Sequence, residues 1–233
     1  MNPIVSFSLF GKDENDVYYR GALRNAQMYA AIRPDWHLRF YVSRAVPESV
    51  CDTLRDQSNT SVVMRADSDD QRSTYWRFLA LRDAGYSHYL FRDVDSRPSE
   101  RELDAVDEWI ESGRQFHVMR DHPRHGVPML AGMWGASSAG AARVRGILPD
   151  QLKTSYYQVD QDFLKYHIWP IAKTDVLAHV DFGHHFNDTE TRQFRVPRKD
   201  FDYVAECHNG DDTLRFPEHR LEIAISGYRA EQG

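Results

Sequence analysis

The sequence predicts an α/β fold, a single domain with a mainly parallel central sheet flanked by helices, and three observations carry that expectation. Short apolar runs alternate with helix-like segments through the N-terminal half, the pattern of successive βαβ units. The helix-like segments are amphipathic without a heptad repeat, so a sheet is their natural partner. No linker, low-complexity stretch or internal repeat divides the chain. At 233 residues, 41% of them hydrophobic, it is long enough to bury one sizeable core.

Each element has its own justification. Ile4 to Phe10 is strand-like and ends at Gly11, and a polar loop, Lys12 to Asp16, follows. A helix is expected from about Val17 to Ile32, with Leu23, Ala26 and Ala30 on one face and Pro34 marking its end. Leu38 to Val42 reads as the second strand, and Pro47 opens a short helix carrying Val50 and Leu54 one turn apart. Val62 to Met64 is the third strand, followed by a helix over residues 75–81 that Gly85 closes. Tyr89-Leu90-Phe91 is a buried strand. After it, Ser99 and Glu102 form a capping-box pattern for a helix with Leu103, Val106 and Ile110 inside and Gly113 as its stop. Phe116 to Met119 is a further strand, Met129 to Gly135 a strand or turn whose glycines admit close backbone approach, and Tyr157 to Leu164 the start of a helix. From about Ala178 the chain is expected to be loop-like. The main unit is placed at residues 1–210, with 211–233 as a C-terminal extension.

Composition narrows the function classes. The net charge of −6 argues against a general nucleic-acid binder. Two clusters run against it: Arg192, Arg195, Arg198 and Lys199, and Arg120, His122, Arg124 and His125. Either is suited to phosphates or an anionic membrane surface. No apolar run reaches the length of a membrane span, and the N-terminus lacks a basic, small-residue leader pattern. With only Cys51 and Cys207, far apart, a reducing cytoplasm is expected, with at most peripheral contact at the inner membrane face.

The chemistry concentrates after the fourth strand, in Arg92-Asp93-Val94-Asp95-Ser96-Arg97-Pro98. Residues two apart in an extended segment share a face, so Asp93 and Asp95 aim at one point beyond the strand's carboxyl end. Open α/β sheets hold their ligands there. Two carboxylates on one point call for a hard divalent cation, Mg²⁺ or Mn²⁺, able to neutralise a diphosphate. A solvated polar loop is the plainer alternative, since the D-x-D pattern is common.

The order of motifs resembles the small bacterial GT-A glycosyltransferases. The segments that carry the resemblance are Tyr19 to Ala26, Arg39 to Val42, Phe91 to Arg97, His117 to Pro123, Leu130 to Gly135 and Asp160 to Leu164, covering roughly residues 3–205. It implies a metal-dependent enzyme moving a sugar from a UDP- or GDP-sugar donor to a hydroxyl of a glycan, lipid-linked glycan or small metabolite. By that resemblance Asp93 lies near ribose and metal, Asp95 is the stronger metal ligand, and Ser6, Phe7 and Phe10 cradle the base. Arg20, Asn25 and Arg77 line the nucleotide pocket or brace the carboxylates, and Gly132 and Trp134 form a wall for the sugar. Asp160-Gln161-Asp162 resembles a segment of retaining relatives, with Asp160 holding sugar hydroxyls and Gln161 beside the reacting carbon; in an inverting enzyme a carboxylate here is the general base. Asp121 is a second base candidate. A third metal ligand is expected from His179 or His185.

Two rivals remain open at this level. A sugar-phosphate nucleotidyltransferase shares the sheet and the carboxylates, but a Gly-rich basic loop is expected after its first strand, where this chain is acidic with a single glycine. A catalytically degenerate nucleotide-sugar-binding module is the non-enzyme alternative; intact Asp93, Asp95, Asp160 and Gln161 speak against it.

Overall fold

A computed structural model describes residues 2–12 and 17–230; most of the acidic loop expected after the first strand lies outside the described residues. The elements are β1 (Ile4–Leu9), α1 (Val17–Ile32), β2 (His37–Ser43), α2 (Glu48–Arg55), β3 (Thr60–Arg65), a 3₁₀ segment (Gln71–Arg82), β4 (His88–Phe91) and α3 (Glu100–Ser112). There follow β5 (Phe116–Arg120), β6 (Trp134–Ser137), α4 (Ser138–Val144), α5 (Val159–Phe163), α6 (Trp169–Ala172), β7 (Val176–Val180), β8 (Glu190–Arg192) and α7 (Glu218–Ala230). Among the described residues the strands form one eight-stranded sheet in the order β3-β2-β1-β4-β6-β5-β7-β8. Only β6 runs against its neighbours. The carboxyl ends of β1, β4, β5 and β7 therefore share one edge. No helix among the described residues is long and apolar enough to cross a membrane.

The sheet is covered on both faces because its strands alternate. Val5, Phe7 and Leu9 of β1 pack with Phe40, Leu90 and Trp109 under α1, α2 and α3. Phe7 stacks on Phe40 with ring centroids 4.7 Å apart. The opposite face gathers Phe78, Phe91 and Trp134 with Phe163 and Ile168, and each such buried ring contributes about 1.5–3 kcal/mol. Ser6 and Ser8 also point to this second face. Ser6 Oγ donates to the Arg77 carbonyl at 2.8 Å, and Ser8 Oγ donates to the Thr74 carbonyl at 3.1 Å while accepting from Arg77 N–H at 3.0 Å.

Two elements differ from expectation. The helix anticipated over residues 75–81 is a 3₁₀ segment, capped by Asp70 accepting from Arg72 N–H at 2.9 Å. The β1 serines satisfy backbone groups that α-helical bonds would otherwise take, which lets the tighter winding stand. The stretch from Ala178 is not loop throughout. Val176–Val180 is a fully buried strand, and β8 and α7 follow. Its polar centre, His179, hid the pattern, because that side chain is satisfied by a buried partner rather than by water.

The capping pattern at α3 is half used. Ser99 Oγ accepts from Glu102 N–H at 3.1 Å, and Gly113 at φ +69° closes the helix. The Glu102 carboxylate turns instead to Arg92 Nε at 2.5 Å.

Candidate active site at the carboxyl edge of the sheet

The loop after β4 is held from three sides. Asn25 Nδ2 on α1 donates to the carbonyls of Val94 and Ser96 at 3.0 and 2.9 Å, and Arg97 Nη1 reaches the same two at 3.1 and 2.9 Å. Gly21 is the contact point of α1 with this loop. A Cβ there would penetrate the Val94 carbonyl oxygen, so helix and loop can meet only because the side chain is a hydrogen. The resemblance implies that Asn25 lines the nucleotide pocket or braces the carboxylates; its bonds are to the backbone carbonyls of their loop.

Arg77 ties the two acidic motifs together. It is buried, yet its guanidinium reaches Asp93 through Nη1 and Asp160 through Nη2, the latter at 2.7 Å. Asp160 Oδ1 accepts from Gln161 N–H at 2.9 Å. Gln161 Oε1 in turn accepts from Ala131 N–H at 3.0 Å, which fixes the turn before Gly132. Gly132 lies against Asp93 so closely that any Cβ would overlap the carboxylate. Asp93, Arg77, Asp160, Gln161 and Gly132 thus form one group, although they span four separate stretches of the chain.

Asp95 is set deeper. Its side chain is 14% exposed against 45% for Asp93, and Arg215 Nη1 meets it at 3.2 Å. Burial pushes Asp95 up to about 6; the negative charge of Asp93 adds to this, and Arg215 and Arg77 oppose it. Cys207 lies beside it, its thiol pushed up by burial and then by the charges of Asp95 and Asp93. A hairpin-like stretch, residues 207–215, brings Cys207 and Arg215 here: Ser96 bridges Cys207, His208 N–H donates to the Asp95 carbonyl at 2.7 Å, and Asp212 binds Arg97 at 2.9 Å and Arg24 at 2.8 Å. Nothing upstream in the sequence signals Arg215 or Cys207, because the contact joins positions more than a hundred residues apart.

Asp93 and Asp95 suit a hard divalent cation. They are oxygen donors on one loop, the donor type such an ion takes, and Asp95 is raised first by burial and then by the charge of Asp93. Among the described residues, no three His, Cys, Asp or Glu side chains converge as a metal-ligand group.

Other expected site residues fall elsewhere. His179 is fully buried, its Nδ1 2.8 Å from His117 Nε2 and its Nε2 3.0 Å from Glu108, so both ring nitrogens are taken. It sits on β7, three places from β4 in the sheet. His185 is exposed in the loop after β7. Asp121 is fully buried and receives Arg101 Nε and Nη2 at 2.9 and 2.8 Å, Arg198 Nη2, and Val204 N–H at 2.9 Å, which leaves it no room to act as a base. Ser6 and Phe7 are buried in the core, while Phe10 is half-buried against Trp76. Trp134 is not a pocket wall: it is fully buried, 4.3 Å from Phe91 between ring centroids. Arg20 is exposed on α1 in the field of Asp211.

The two basic clusters are likewise committed within the protein. Arg192 binds Glu108 and Glu190, Arg195 binds Asp104, and Lys199 binds Glu100. Arg120 binds Asp188, and Arg124 binds Glu222.

Comparison with known proteins gives the class of fold. No protein-family model matches the chain, and no curated protein matches it by sequence. Among solved structures, S. aureus TarS 1–349 superposes with a TM-score of 0.53 at 12% identity, over 78% of this chain and 58% of that one. S. aureus TarS gives 0.54 at 12% identity, over 78% of this chain and 35% of that one. The chain therefore spans 58% of the first and about a third of the second. The galactosyltransferase LgtC, solved with donor and acceptor sugar analogs, gives 0.46 at 16% identity over 96% and 95%. At these identities the likeness is one of fold alone: a single α/β domain on a mostly parallel mixed sheet, shared with the TarS structures.

Proposed function

We propose that the protein is a metal-dependent glycosyltransferase that moves a sugar from a nucleotide-sugar donor to a hydroxyl acceptor. The observation that carries the reading is the group built on Arg77, which brings the Asp93 loop and the Asp160-Gln161 turn onto one cation at the ligand-binding edge of the sheet. Asp93 and Asp95 would hold Mn²⁺ or Mg²⁺, which when bound supplies charge neutralisation for a departing nucleoside diphosphate. Arg215 stands beside the same carboxylates and is placed to add a second positive charge there. Asp160 has Arg77 and the Gln161 N–H on its oxygens, an arrangement for holding sugar hydroxyls in a fixed position rather than for taking up a proton. Gln161 is anchored through Oε1 and so presents its amide nitrogen to the donor sugar. These roles fit a retaining transfer.

The test is thermal unfolding with UDP or GDP, with and without Mn²⁺. A ligand at about a hundred times its Kd stabilises the native state by about 2.7 kcal/mol. For a chain of this length that is roughly 5–11 °C in midpoint. The expected result is such a rise for one diphosphate only when Mn²⁺ is present, and its loss in Asp95→Ala. A variant that responds as well as its parent overturns the metal assignment.

A further inference from the structure

The same edge of the sheet carries a concavity of about 450 Å³ beside the carboxyl end of β7, against helix α7. That volume falls within the range of small-molecule sites, about 300–1,000 Å³. Asp181, Phe182, Gln193, Arg198 and Phe201 line it, with Arg101 at its base. We infer that it binds an uncharged sugar ring and, resting on the transferase reading, that it holds part of a carbohydrate acceptor.

The polar wall is charge-balanced and fixed. Asp121, fully buried beneath it, clamps Arg101 and Arg198, so their guanidiniums cannot swing away. Asp181 closes the quartet by accepting from both of them on Oδ2. Among the described residues its Oδ1 takes no hydrogen bond, and the side chain is 21% exposed. Two arginines against two aspartates leave no net charge to attract an anion, and a phosphate on either guanidinium would have to face Asp181. A hydroxylated ring needs a rigid acceptor and donors side by side, which this wall offers.

The apolar wall is equally specific. Phe201 is 52% exposed and sits at φ +62°, after Asp200 at φ +51°. Two consecutive non-glycine residues in the left-handed region are unfavourable, and an exposed phenyl gains little from folding to offset that. The backbone thus holds an open aromatic face at the rim of a polar cavity. The rings of Phe182 and Phe194 are already covered by Arg198 and Arg101, at 5.0 and 4.3 Å. The free face at the rim is therefore that of Phe201, suited to the C–H face of one pyranose. An acyl chain would instead bury Asp181 Oδ1 without a partner.

Saturation-transfer NMR on the full chain tests this with lactose, maltose, cellobiose, N,N′-diacetylchitobiose and octyl glucoside. The expected result is transfer to the ring protons of at least one disaccharide. Binding should weaken roughly tenfold in Phe201→Gly and in Asp181→Asn, the size of one lost hydrogen bond or stacking contact. Glycine accepts the left-handed backbone, so Phe201→Gly keeps its melting point and decides alone if Asp181→Asn does not fold. The inference is overturned if no disaccharide receives transfer, if both variants bind like the parent, or if transfer reaches only the octyl chain. The nucleotide and Mn²⁺ melting shift is run beside it. Its failure in the parent removes the transferase reading and the acceptor role, while the sugar site stands or falls on the NMR.

Discussion

Replacing Arg77 by Met removes one cation from beneath two carboxylates while keeping an unbranched side chain of similar reach over Phe78. Arg77 is 4% exposed, and its partner Asp160 is 8% exposed at the side chain. Breaking a buried pair from one side typically costs about 3–5 kcal/mol, because the remaining charge has no partner. Asp93 is 45% exposed, so water screens its loss and it adds at most about 1 kcal/mol. The sum is about 3–6 kcal/mol, equivalent to a fall of roughly 6–24 °C in midpoint for a chain of this size. Urea unfolding at neutral pH measures it, and a double-mutant cycle with Asp160→Asn isolates the cause. Once the stranded charge is neutral, the double variant should recover a substantial part of the loss. A single variant within about 1 kcal/mol of the parent, or a double variant no better than the single, refutes the account of Arg77 as the hub.

Asp95 gives a pH signature. Its native pKa of about 6 lies above the ordinary 3.8, so protonation favours the folded state; the contribution is complete below about pH 4 and is lost as pH rises through 6. In chelator, the parent should lose up to about 3 kcal/mol on this account between pH 4 and 7. Asp95→Asn should remove that component, and equal slopes for parent and variant would show that burial and the charge of Asp93 do not raise Asp95. Gly21→Ala should cost about 1–3 kcal/mol and weaken diphosphate binding together, since α1 and the Asp95 loop must part to admit a methyl group; calorimetric titration and melting would disagree if the contact were incidental. Arg215→Ala removes a charge that competes for Asp95, worth about 1 kcal/mol at this partial exposure, so Mn²⁺ alone should bind roughly fivefold more tightly by titration. Weaker binding would mean that Arg215 organises the carboxylate rather than occupying its place.

What could be read from the residues was mostly local. The limits of α1, the Ser99 start and Gly113 stop of α3, and the strand that ends at Phe91, two places before Asp93, all follow from caps, breakers and apolar runs within a few positions. Arg77 could be named through the family resemblance, as lining the nucleotide pocket or bracing the carboxylates; that it reaches Asp93 and Asp160 at once is a tertiary fact. The failures are of one kind. His179, Asp121 and Trp134 have functional chemistry but are buried with partners from distant segments, and side-chain type does not reveal burial. Arg215 and Cys207 went unseen for the complementary reason, arriving at the site through a C-terminal turn whose own sequence carries no motif.

Ser8 illustrates how a first strand can govern a site it never touches. One hydroxyl, donating to Thr74 and accepting from Arg77, sets the height of the 3₁₀ segment above the sheet and hence where the guanidinium arrives. A binding scan along this strand should find weakened variants at Ser6 and Ser8 and tempt an observer to draw ligand contacts there. The defect would be one of alignment, visible as damage to both acidic motifs at once, and a second-site change that re-seats Arg77 should cure it without any change in what the protein binds.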